Sequence, residues 1–247
     1  MLRTHTRTVE DGVRRAGYLV PAVGSDETGP RDDAFGPWAK RGVRKSFSAN
    51  RVLFRKGDPA HGLYLLLTGH VKLASTFTTE GKDLVLAILA PGDLFGEGAL
   101  EESGTWNTTA TTLTPCELLF LSRYDALASM RDNSGFVVTL VSAMAHRFLM
   151  ATNLIEDLVF ASLPTRLAKT LLVLGRTLGR PVAEGLRIDC QLTQQELASM
   201  VGASRESINK LLAAWKSLGL LSMTRRCLVL NRPDELLLAA HTPNGCS

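Results

Sequence analysis

The sequence predicts an α+β protein in three successive parts: an N-terminal antiparallel β-roll, one long helix, and a small C-terminal domain of short helices and paired strands. Three observations support this prediction. Short apolar runs punctuated by glycine fill residues 46–133, apolar residues recur with helical spacing over residues 134–160, and two helix caps flank a glycine within residues 161–247. Short strands separated by tight turns are typical of rolls and barrels, whereas three- and four-residue spacing is typical of helices.

The composition is that of a folded protein with room for two domains. The chain has 247 residues, of which 45% are hydrophobic and 21% are charged. Its start lacks the apolar core of a signal peptide, and no continuous apolar run reaches the roughly 18 residues of a membrane helix. We therefore expect a cytoplasmic protein that binds no membrane. The scattered cysteines Cys116, Cys190, Cys227 and Cys246 form no CxxC or Cys/His cluster, so we expect reduced thiols and no bound metal.

Charge is distributed unevenly along the chain. Residues 1–45 carry a net charge of +3, residues 46–159 carry −4, and residues 160–247 carry +5. A basic terminal domain indicates a polyanionic partner. Residues 1–45 mix Gly, Pro, Arg and Asp without sustained periodicity, and we interpret them as a mobile N-terminal extension.

The roll is predicted from apolar runs rich in Val, Leu and Phe that lie between Phe47 and Leu121. They include "GLYLLLTGHVKLAST", "LVLAILAPGDLFGE" and "CELLFLSR", and turn residues such as "KGDP", "TGH" and "PGD" close them. Runs of this length and composition are typical of strands joined by tight turns.

The long helix has apolar residues at heptad spacing. The seam residues, spaced 4, 3, 4, 3, 4 and 3, are Val137, Val141, Met144, Phe148, Ala151, Ile155 and Leu158. Such a seam can pack on the roll of its own chain, as we expect for Phe136, Leu140 and Leu154. A strict seam beside that second stripe exceeds what one intramolecular face needs, so we predict a homodimer. Ser162 can cap the next helix, with Pro164 in its first turn, and this break is a candidate hinge.

The most specific motif is "LTQQELASMVGASRESINKLLAAWKSLGLL". Thr193 and Glu196 form the pattern of a capping box that opens a helix ending near Val201. Gly202 supplies the left-handed turn before a second helix, which Ser204 can cap. The predicted buried stripe of that helix is Ile208, Leu211, Leu212 and Trp215, and Ala198 is small where the two helices cross.

The opposite face of this second helix presents Arg205, Glu206, Asn209 and Lys210. An ordinary solvated helix face would be equally polar. The caps, the glycine turn and the basic surroundings favour a recognition helix that enters the DNA major groove. The following segment "LLSMTRRCLVLN" predicts a wing of two strands, with Arg225 and Arg226 near phosphates.

The order of roll, long helix, break and winged helix-turn-helix resembles the CRP/FNR family of bacterial transcription regulators. "FRKGDPAHGLYLLLTGHVKL", "LAPGDLFGEGAL" and "GASRESINKLL" carry this resemblance over residues 46–240. It implies a cyclic-nucleotide-binding-like roll at 46–133, a dimerisation helix at 134–160 and a DNA-binding domain at 161–247. It also implies base contacts from Arg205, Glu206 and Lys210, and phosphate contacts from Ser204, Thr193 and Gln194. RNA polymerase would be a further partner if the protein activates transcription.

The resemblance also locates an effector pocket that departs from the family pattern. The family's cassette is F-G-E-x-A-L followed by Arg-Ser. Gly96, Glu97, Ala99 and Leu100 fit its first part, with Gly98 at the variable position. Trp106 and Asn107 stand where the phosphate-binding Arg and Ser are expected. Ala151 and Thr152 take the place of two adenine-binding hydroxyls, so only one hydroxyl remains. We therefore expect that cyclic AMP does not bind in the usual way.

Three uses of this degenerate pocket stay open. Trp106 can fill it and leave a regulator that needs no ligand. Another effector can bind there, with its ring stacked on Trp106. Haem can bind through His61, His70 or His146, which is the least favoured alternative. No certain cofactor follows from the sequence. It contains no nucleophile elbow, HExxH or GxxxxGK[ST] motif, and we expect no enzyme activity.

Overall fold

The structure is a computed structural model that describes residues 37–77, 82–102, 104–188, 193–224 and 227–241. These residues divide into two compact units, and the boundary lies between residues 149 and 150, inside the long helix. Most of the predicted N-terminal extension, as well as Arg225, Arg226, Cys190 and Cys246, lies outside the described residues.

The first unit contains two antiparallel four-stranded sheets. Its strands are β1 (Val43–Phe47), β2 (Val52–Phe54), β3 (Gly62–Thr68), β4 (Val71–Phe77), β5 (Lys82–Leu89), β6 (Leu94–Phe95), β7 (Thr109–Thr112) and β8 (Cys116–Ser122). One sheet has the order β1-β8-β3-β6 and the other has the order β2-β7-β4-β5. Because strands distant in sequence are paired, the unit is a roll rather than a simple meander.

Strand β3 is buried on both of its faces. Leu63, Leu65 and Leu67 belong to a core cluster that also contains Phe136 and Leu140 of the long helix. The alternate residue Tyr64 points to the other side, where its ring stacks on Phe95 and Phe54. The strand thus separates the core under the helix, which is rich in leucine, from an aromatic cluster on its other side.

The first unit begins earlier in the chain than position 46. A 3-10 helix at Pro37–Arg41 precedes β1, and Trp38 is buried against Phe136 with ring centroids 4.8 Å apart. Arg41 forms an ion pair of 2.8 Å with Asp132. The end of the predicted extension is therefore part of the roll, because its tryptophan supplies apolar surface that the core requires.

Two helices follow β8 directly: α1 (Arg123–Asp132) and α2 (Ser134–Phe160). The sequence predicted α2 with these bounds. Among the described residues, α2 is long and apolar enough to cross a membrane, judged by length and composition alone. Phe136 and Leu140 of α2 pack in the core of the first unit, and Arg147 forms an ion pair with Glu97.

The second unit begins inside α2, at Met150. Its further elements are α3 (Leu163–Leu178), β9 (Gly179–Val182), β10 (Gly185–Ile188), α4 (Gln194–Val201), α5 (Arg205–Ser217), β11 (Leu221–Met223), β12 (Leu228–Leu230) and α6 (Pro233–His241). The strands form one antiparallel sheet in the order β11-β12-β10-β9. Strand β10 begins just before "RIDCQL", the segment that suggested a third strand. The buried residues Leu197, Ala198, Ile208 and Leu212 lie on α4 and α5, and their burial fixes the two helices in this unit.

Candidate nucleic-acid interface and effector pocket

The start of α4 has the predicted capping box. The Thr193 hydroxyl accepts a hydrogen bond of 3.1 Å from the Glu196 backbone N–H, and the Glu196 carboxylate accepts one of 3.0 Å from the Thr193 backbone N–H. At the other end, Gly202 has φ 62°, in the left-handed region. A side chain at Gly202 would be strained by this conformation and would also meet Leu158, since an added Cβ would lie 2.7 Å from its Cδ2.

Helix α5 begins at the predicted cap. The Ser204 hydroxyl accepts a hydrogen bond of 3.1 Å from the Ser207 backbone N–H. Ile208, Leu212 and Trp215 are buried as expected, whereas Leu211 is only half-buried. With this stripe fixed inside the unit, the opposite face of α5 must be directed outward.

That outward face carries the four side chains predicted to enter the major groove. Arg205, Glu206, Asn209 and Lys210 are all exposed. Hydrogen bonds from its own backbone N–H and from the Ser204 hydroxyl lower the pKa of Glu206, and nearby Arg205 and Lys210 lower the pKa further. The carboxylate therefore stays ionised at neutral pH and acts only as an acceptor.

One contact of this face was not expected from the sequence. Gln194, the first residue of α4, donates a hydrogen bond of 3.0 Å from Nε2 to Oδ1 of Asn209 on α5. The resemblance had assigned Gln194 to phosphate only. A pattern of neighbouring residues in the sequence cannot predict this bond, because the two residues are separated by fifteen positions and a turn.

The predicted wing is present as the antiparallel pair β11 and β12, in which Leu221 lies opposite Leu230 and Met223 opposite Leu228. The Thr224 backbone N–H donates a hydrogen bond of 3.0 Å to the Cys227 carbonyl across the turn. Arg225 and Arg226 lie outside the described residues, so their approach to phosphates stays a prediction.

At the position of the predicted effector pocket, Trp106 packs against other residues of the roll. Trp106 is buried, with 5% of its surface exposed. Its ring stacks on Phe54, with centroids 3.9 Å apart and planes 14° apart. Gly96 has φ 91° and lies directly beneath the indole, since an added Cβ would lie 3.0 Å from Trp106 Cζ3. Asn107, the other substituted residue, is exposed.

Glu97 forms an ion pair with a residue that was not predicted from the sequence. Arg147 of α2 lies with Nη2 3.0 Å from Glu97 Oε2, and the same Nη2 donates a hydrogen bond of 2.8 Å to the Leu94 carbonyl. The two side chains are only 18% and 23% exposed. The sequence does contain an indication of this pair. Arg147 is a cation in the middle of an apolar helix, where a buried charge without a partner would be costly. Gly98 and Ala99 are buried in the 3-10 helix that follows Gly96.

The predicted seam residues differ in how far they are exposed. Val141, Met144, Phe148, Ala151 and Ile155 are exposed, but Val137 and Leu158 are half-buried within the chain. Phe136 and Leu140 are buried in the roll as expected, and Leu154 is half-buried. Thr152, the remaining candidate hydroxyl, is half-buried.

The break after α2 carries the predicted Ser162 cap, whose hydroxyl accepts a hydrogen bond from the Thr165 backbone N–H. It is also bridged by side chains. Lys169 lies 2.7 Å from Asp157, and Arg166 donates hydrogen bonds of 2.9 Å to the carbonyls of Ala161 and Val201. These contacts tie the last turns of α2 to α3 and α4 within the second unit.

Three histidines, His61, His70 and His146, were the candidates for binding haem. Within the described ranges, no cluster of three or more His, Cys, Asp or Glu side chains could hold a metal ion. His61 is exposed, and His70 and His146 are half-buried.

Comparison with known proteins identifies both halves of the chain. The family described as "Cyclic nucleotide-binding domain" matches residues 44–133, and that described as "Crp-like helix-turn-helix domain" matches residues 165–238. A roll of the first kind joined to a helix-turn-helix of the second kind defines a class of DNA-binding transcription regulators.

Individual relatives make the assignment specific. A "CRP-like cAMP-activated global transcriptional regulator" from Mycobacterium tuberculosis is 32% identical over 191 residues, which cover 77% of this chain and 84% of the relative. A "Cyclic AMP receptor protein" from Thermus thermophilus is 33% identical over 171 residues, covering 69% and 76%. A solved CRP/FNR-family regulator from Thermus thermophilus matches with a TM-score of 0.72 and 25% identity, covering 82% of this chain and 100% of that one. The chain belongs to the CRP/FNR family of transcription regulators.

Proposed function

We propose that this regulator acts as a homodimer that binds a palindromic DNA site through α5 and is not controlled by cyclic AMP in the usual way. The observation that carries the DNA-binding part is the outward face of α5. Arg205, Glu206, Asn209 and Lys210 are exposed on it, while the apolar stripe behind them is buried. A helix whose position is fixed by its buried side can present these groups without reorganisation.

The chemistry of that face fits the edges of base pairs. Arg and Lys donate to guanine O6 and N7, and a carboxylate accepts from cytosine N4. Arg205 and Glu206 are therefore suited to G·C pairs, since an ionised carboxylate offers only acceptors. The capped N-termini of α4 and α5, with Thr193 and Ser204, favour phosphate oxygens that fix the register.

Dimerisation is supported by the apolar surface that α2 leaves exposed. The large exposed side chains on this helix are Val138, Val141, Met144, Phe148, Leu149, Ile155, Val159 and Phe160. Burial of each contributes about 1.5–3 kcal/mol, so covering this surface with a second copy would be strongly favourable. Val138 and Val159 extend the seam in place of the half-buried Val137 and Leu158.

A symmetric dimer would present two copies of α5 to one face of DNA. Two recognition helices about 34 Å apart read half-sites one helical turn apart, which makes the operator palindromic. Sedimentation of the purified chain and selection of binding sites from random duplexes test this proposal together. We expect a dimer and an enriched inverted repeat. A monomer at working concentration, or selection of an asymmetric site, would contradict it.

The effector part of the proposal is supported by Trp106. Its buried indole stacks on Phe54 and covers Gly96, in the place where the family's cassette would hold a phosphate. The cation that pairs with that phosphate is absent from position 106. Each hydrogen bond to a charged group contributes about 1.5–3 kcal/mol. Losing a bidentate pair therefore weakens cyclic AMP binding by about two orders of magnitude or more.

Calorimetry with cyclic AMP tests this part. We expect no binding by the wild-type protein at micromolar concentration. The double substitution Trp106→Arg with Asn107→Ser restores the family's pair, and we expect it to gain measurable affinity for cyclic AMP. Micromolar binding by the wild type would contradict the proposal. The proposal thus separates this chain from relatives that are named for cyclic AMP and are 32–33% identical to it.

A second candidate is regulation by a different small effector, and one observation favours it. Among the described residues, Glu97 Oε2 and Arg147 Nε are buried and have no hydrogen-bond partner. Arg147 Nη2 is near enough to Glu97 Oε2 to compensate its charge, but the contact lacks hydrogen-bond geometry. A molecule that offers both a donor and an acceptor would satisfy these atoms. A thermal-shift screen compared with Arg147→Met would detect such an effector, since the variant should lose its stabilisation.

A further inference from the structure

The hydrogen bond between α4 and α5 constrains how one residue of the DNA-reading face can act. Asn209 lies four positions after Arg205, on the same face of α5, and is exposed. Gln194 is half-buried at the start of α4. Its Nε2 donates to Asn209 Oδ1 over 3.0 Å. Because the donor comes from a neighbouring helix, the carbonyl end of the Asn209 amide is held towards α4.

The two ends of a carboxamide have opposite hydrogen-bonding character. The oxygen accepts and the nitrogen carries two donor hydrogens. With Oδ1 bonded to Gln194, the Nδ2 group is the end directed away from α4. Within the described part of the chain, the Asn209 side chain forms no other hydrogen bond. The recognition helix therefore presents a donor at this position.

We propose that Gln194 is a positioning residue for sequence specificity, because it fixes the Asn209 amide so that α5 disfavours cytosine. This inference rests on the proposed reading of DNA by α5. In the major groove, guanine offers O6 and N7, thymine offers O4 and adenine offers N7, and all of these are acceptors for Nδ2. Cytosine offers only the N4 donor, which would face the donor hydrogens of Nδ2. An unconstrained Asn can turn Oδ1 towards cytosine N4, and the Gln194 bond opposes that rotation.

The test uses the purified full-length protein and the operator recovered by binding-site selection. Comparison of the wild type with Asn209→Ala identifies the base pair that Asn209 reads. Competition binding then measures the ratio of affinities for thymine and cytosine at that position, at one salt concentration. A ratio is used because uniform changes in electrostatic attraction to phosphate cancel from it. We expect the wild type to favour thymine by about two- to tenfold, the effect of one hydrogen bond.

Two substitutions of Gln194 separate positioning from phosphate contact. Gln194→Met keeps the size of the side chain but has no donor, so the ratio should fall towards one as cytosine becomes acceptable. Gln194→Glu can only accept, so it should bind Asn209 Nδ2, turn Oδ1 outward and reverse the ratio. The matched control Gln195→Glu adds the same charge at the exposed neighbouring position. It should lower affinity for every site and leave the ratio unchanged.

The possible outcomes separate this inference from the proposed function. If Asn209→Ala retains the wild-type ratio at every base pair, or if Gln194→Met and Gln194→Glu leave the ratio unchanged, the positioning role is overturned. A wild-type preference for cytosine at that position overturns it as well. In each of these cases recovery of a palindromic site would still support DNA recognition by α5. Failure of the selection to enrich any site would instead reject the proposed function.

Discussion

The two candidate sites of this chain acquire their geometry in different ways. In the helix-turn-helix, the starts of α4 and α5 are fixed by hydrogen bonds between residues three positions apart, Thr193 with Glu196 and Ser204 with Ser207. In the roll, the pocket depends on pairs far apart in sequence, Trp106 with Phe54 and Glu97 with Arg147. The DNA-reading site is thus assembled from local rules, whereas the pocket is defined by tertiary packing.

This difference implies different sensitivity to substitution. A cap contributes about 1 kcal/mol, and its loss affects the end of one helix. A buried aromatic side chain contributes several times more, and its loss leaves a cavity in the core. If the contrast is correct, substitutions in the pocket should affect the stability of the fold, and those on the recognition face should affect DNA binding alone.

The largest effect on stability is expected for Trp106→Ala. Removing the indole deletes its stack on Phe54 and opens a cavity above Gly96, which should lower the free energy of unfolding by about 3–5 kcal/mol. Urea denaturation followed by circular dichroism measures this change. The exposed neighbour provides the control, since Asn107→Ala should stay within about 0.5 kcal/mol of the wild type. A small loss for Trp106→Ala would mean that the pocket is open rather than filled.

The next largest effect is expected for Arg205→Ala, and it should appear only in DNA binding. Losing a bidentate contact to guanine costs about 1–3 kcal/mol of discrimination at each half-site. Competition of the selected operator against random duplex should therefore show a large loss of selectivity, while sedimentation and thermal unfolding are unchanged.

Arg232→Ala is the matched control for Arg205→Ala. Arg232 is exposed in the same unit, but it pairs with Glu235 at the start of α6. An exposed ion pair of this kind contributes little to stability. Its substitution should leave selectivity intact. Equal losses in the two variants would assign the effect to general charge rather than to base reading.

Much of the C-terminal site could be predicted from the sequence because its signals are local. The capping box at Thr193, the left-handed Gly202 and the Ser204 cap are confirmed, and α4 ends at Val201 as expected. The Gln194–Asn209 bond was missed because it joins two helices across a turn. Sequence spacing gives the face on which a side chain lies but not which of its atoms is engaged by a neighbouring element.

The pocket could be predicted only in outline. The mismatch at Trp106 indicated a departure from the family pattern, and three uses of the space stayed open. The sequence could not give the stack on Phe54, since the two residues lie on different chain segments brought together by the pairing of β2 with β7. Arg147 was missed for the same reason. Helix α2 was predicted from the spacing of its apolar residues, and this spacing gives no information about a charged partner in the roll.

A smaller effect is expected from the ion pair in the pocket. Glu97 and Arg147 are mostly buried, so a double-mutant cycle with Glu97→Gln and Arg147→Met should give a coupling energy of about 1–2 kcal/mol. Arg147→Met should be the more harmful single change, because it leaves a buried carboxylate without its cation and removes the donor to the Leu94 carbonyl. Additive single effects would show that the ion pair does not stabilise the pocket.

The smallest effect is expected at the cap of α4. Thr193→Ala removes the acceptor for the Glu196 backbone N–H and should cost about 1 kcal/mol, whereas Thr193→Ser keeps the hydroxyl and should cost little. Hydrogen exchange resolves where the loss falls. The Glu196 amide and its neighbours in the first turn of α4 should exchange faster, and the amides of β3 and β8 should be unchanged. Because the capping hydrogen bond closes over three residues, its removal should not reach the roll. If protection were lost in both units together, local assembly of the DNA-reading site would be wrong, and the helix-turn-helix would depend on tertiary packing as the pocket does.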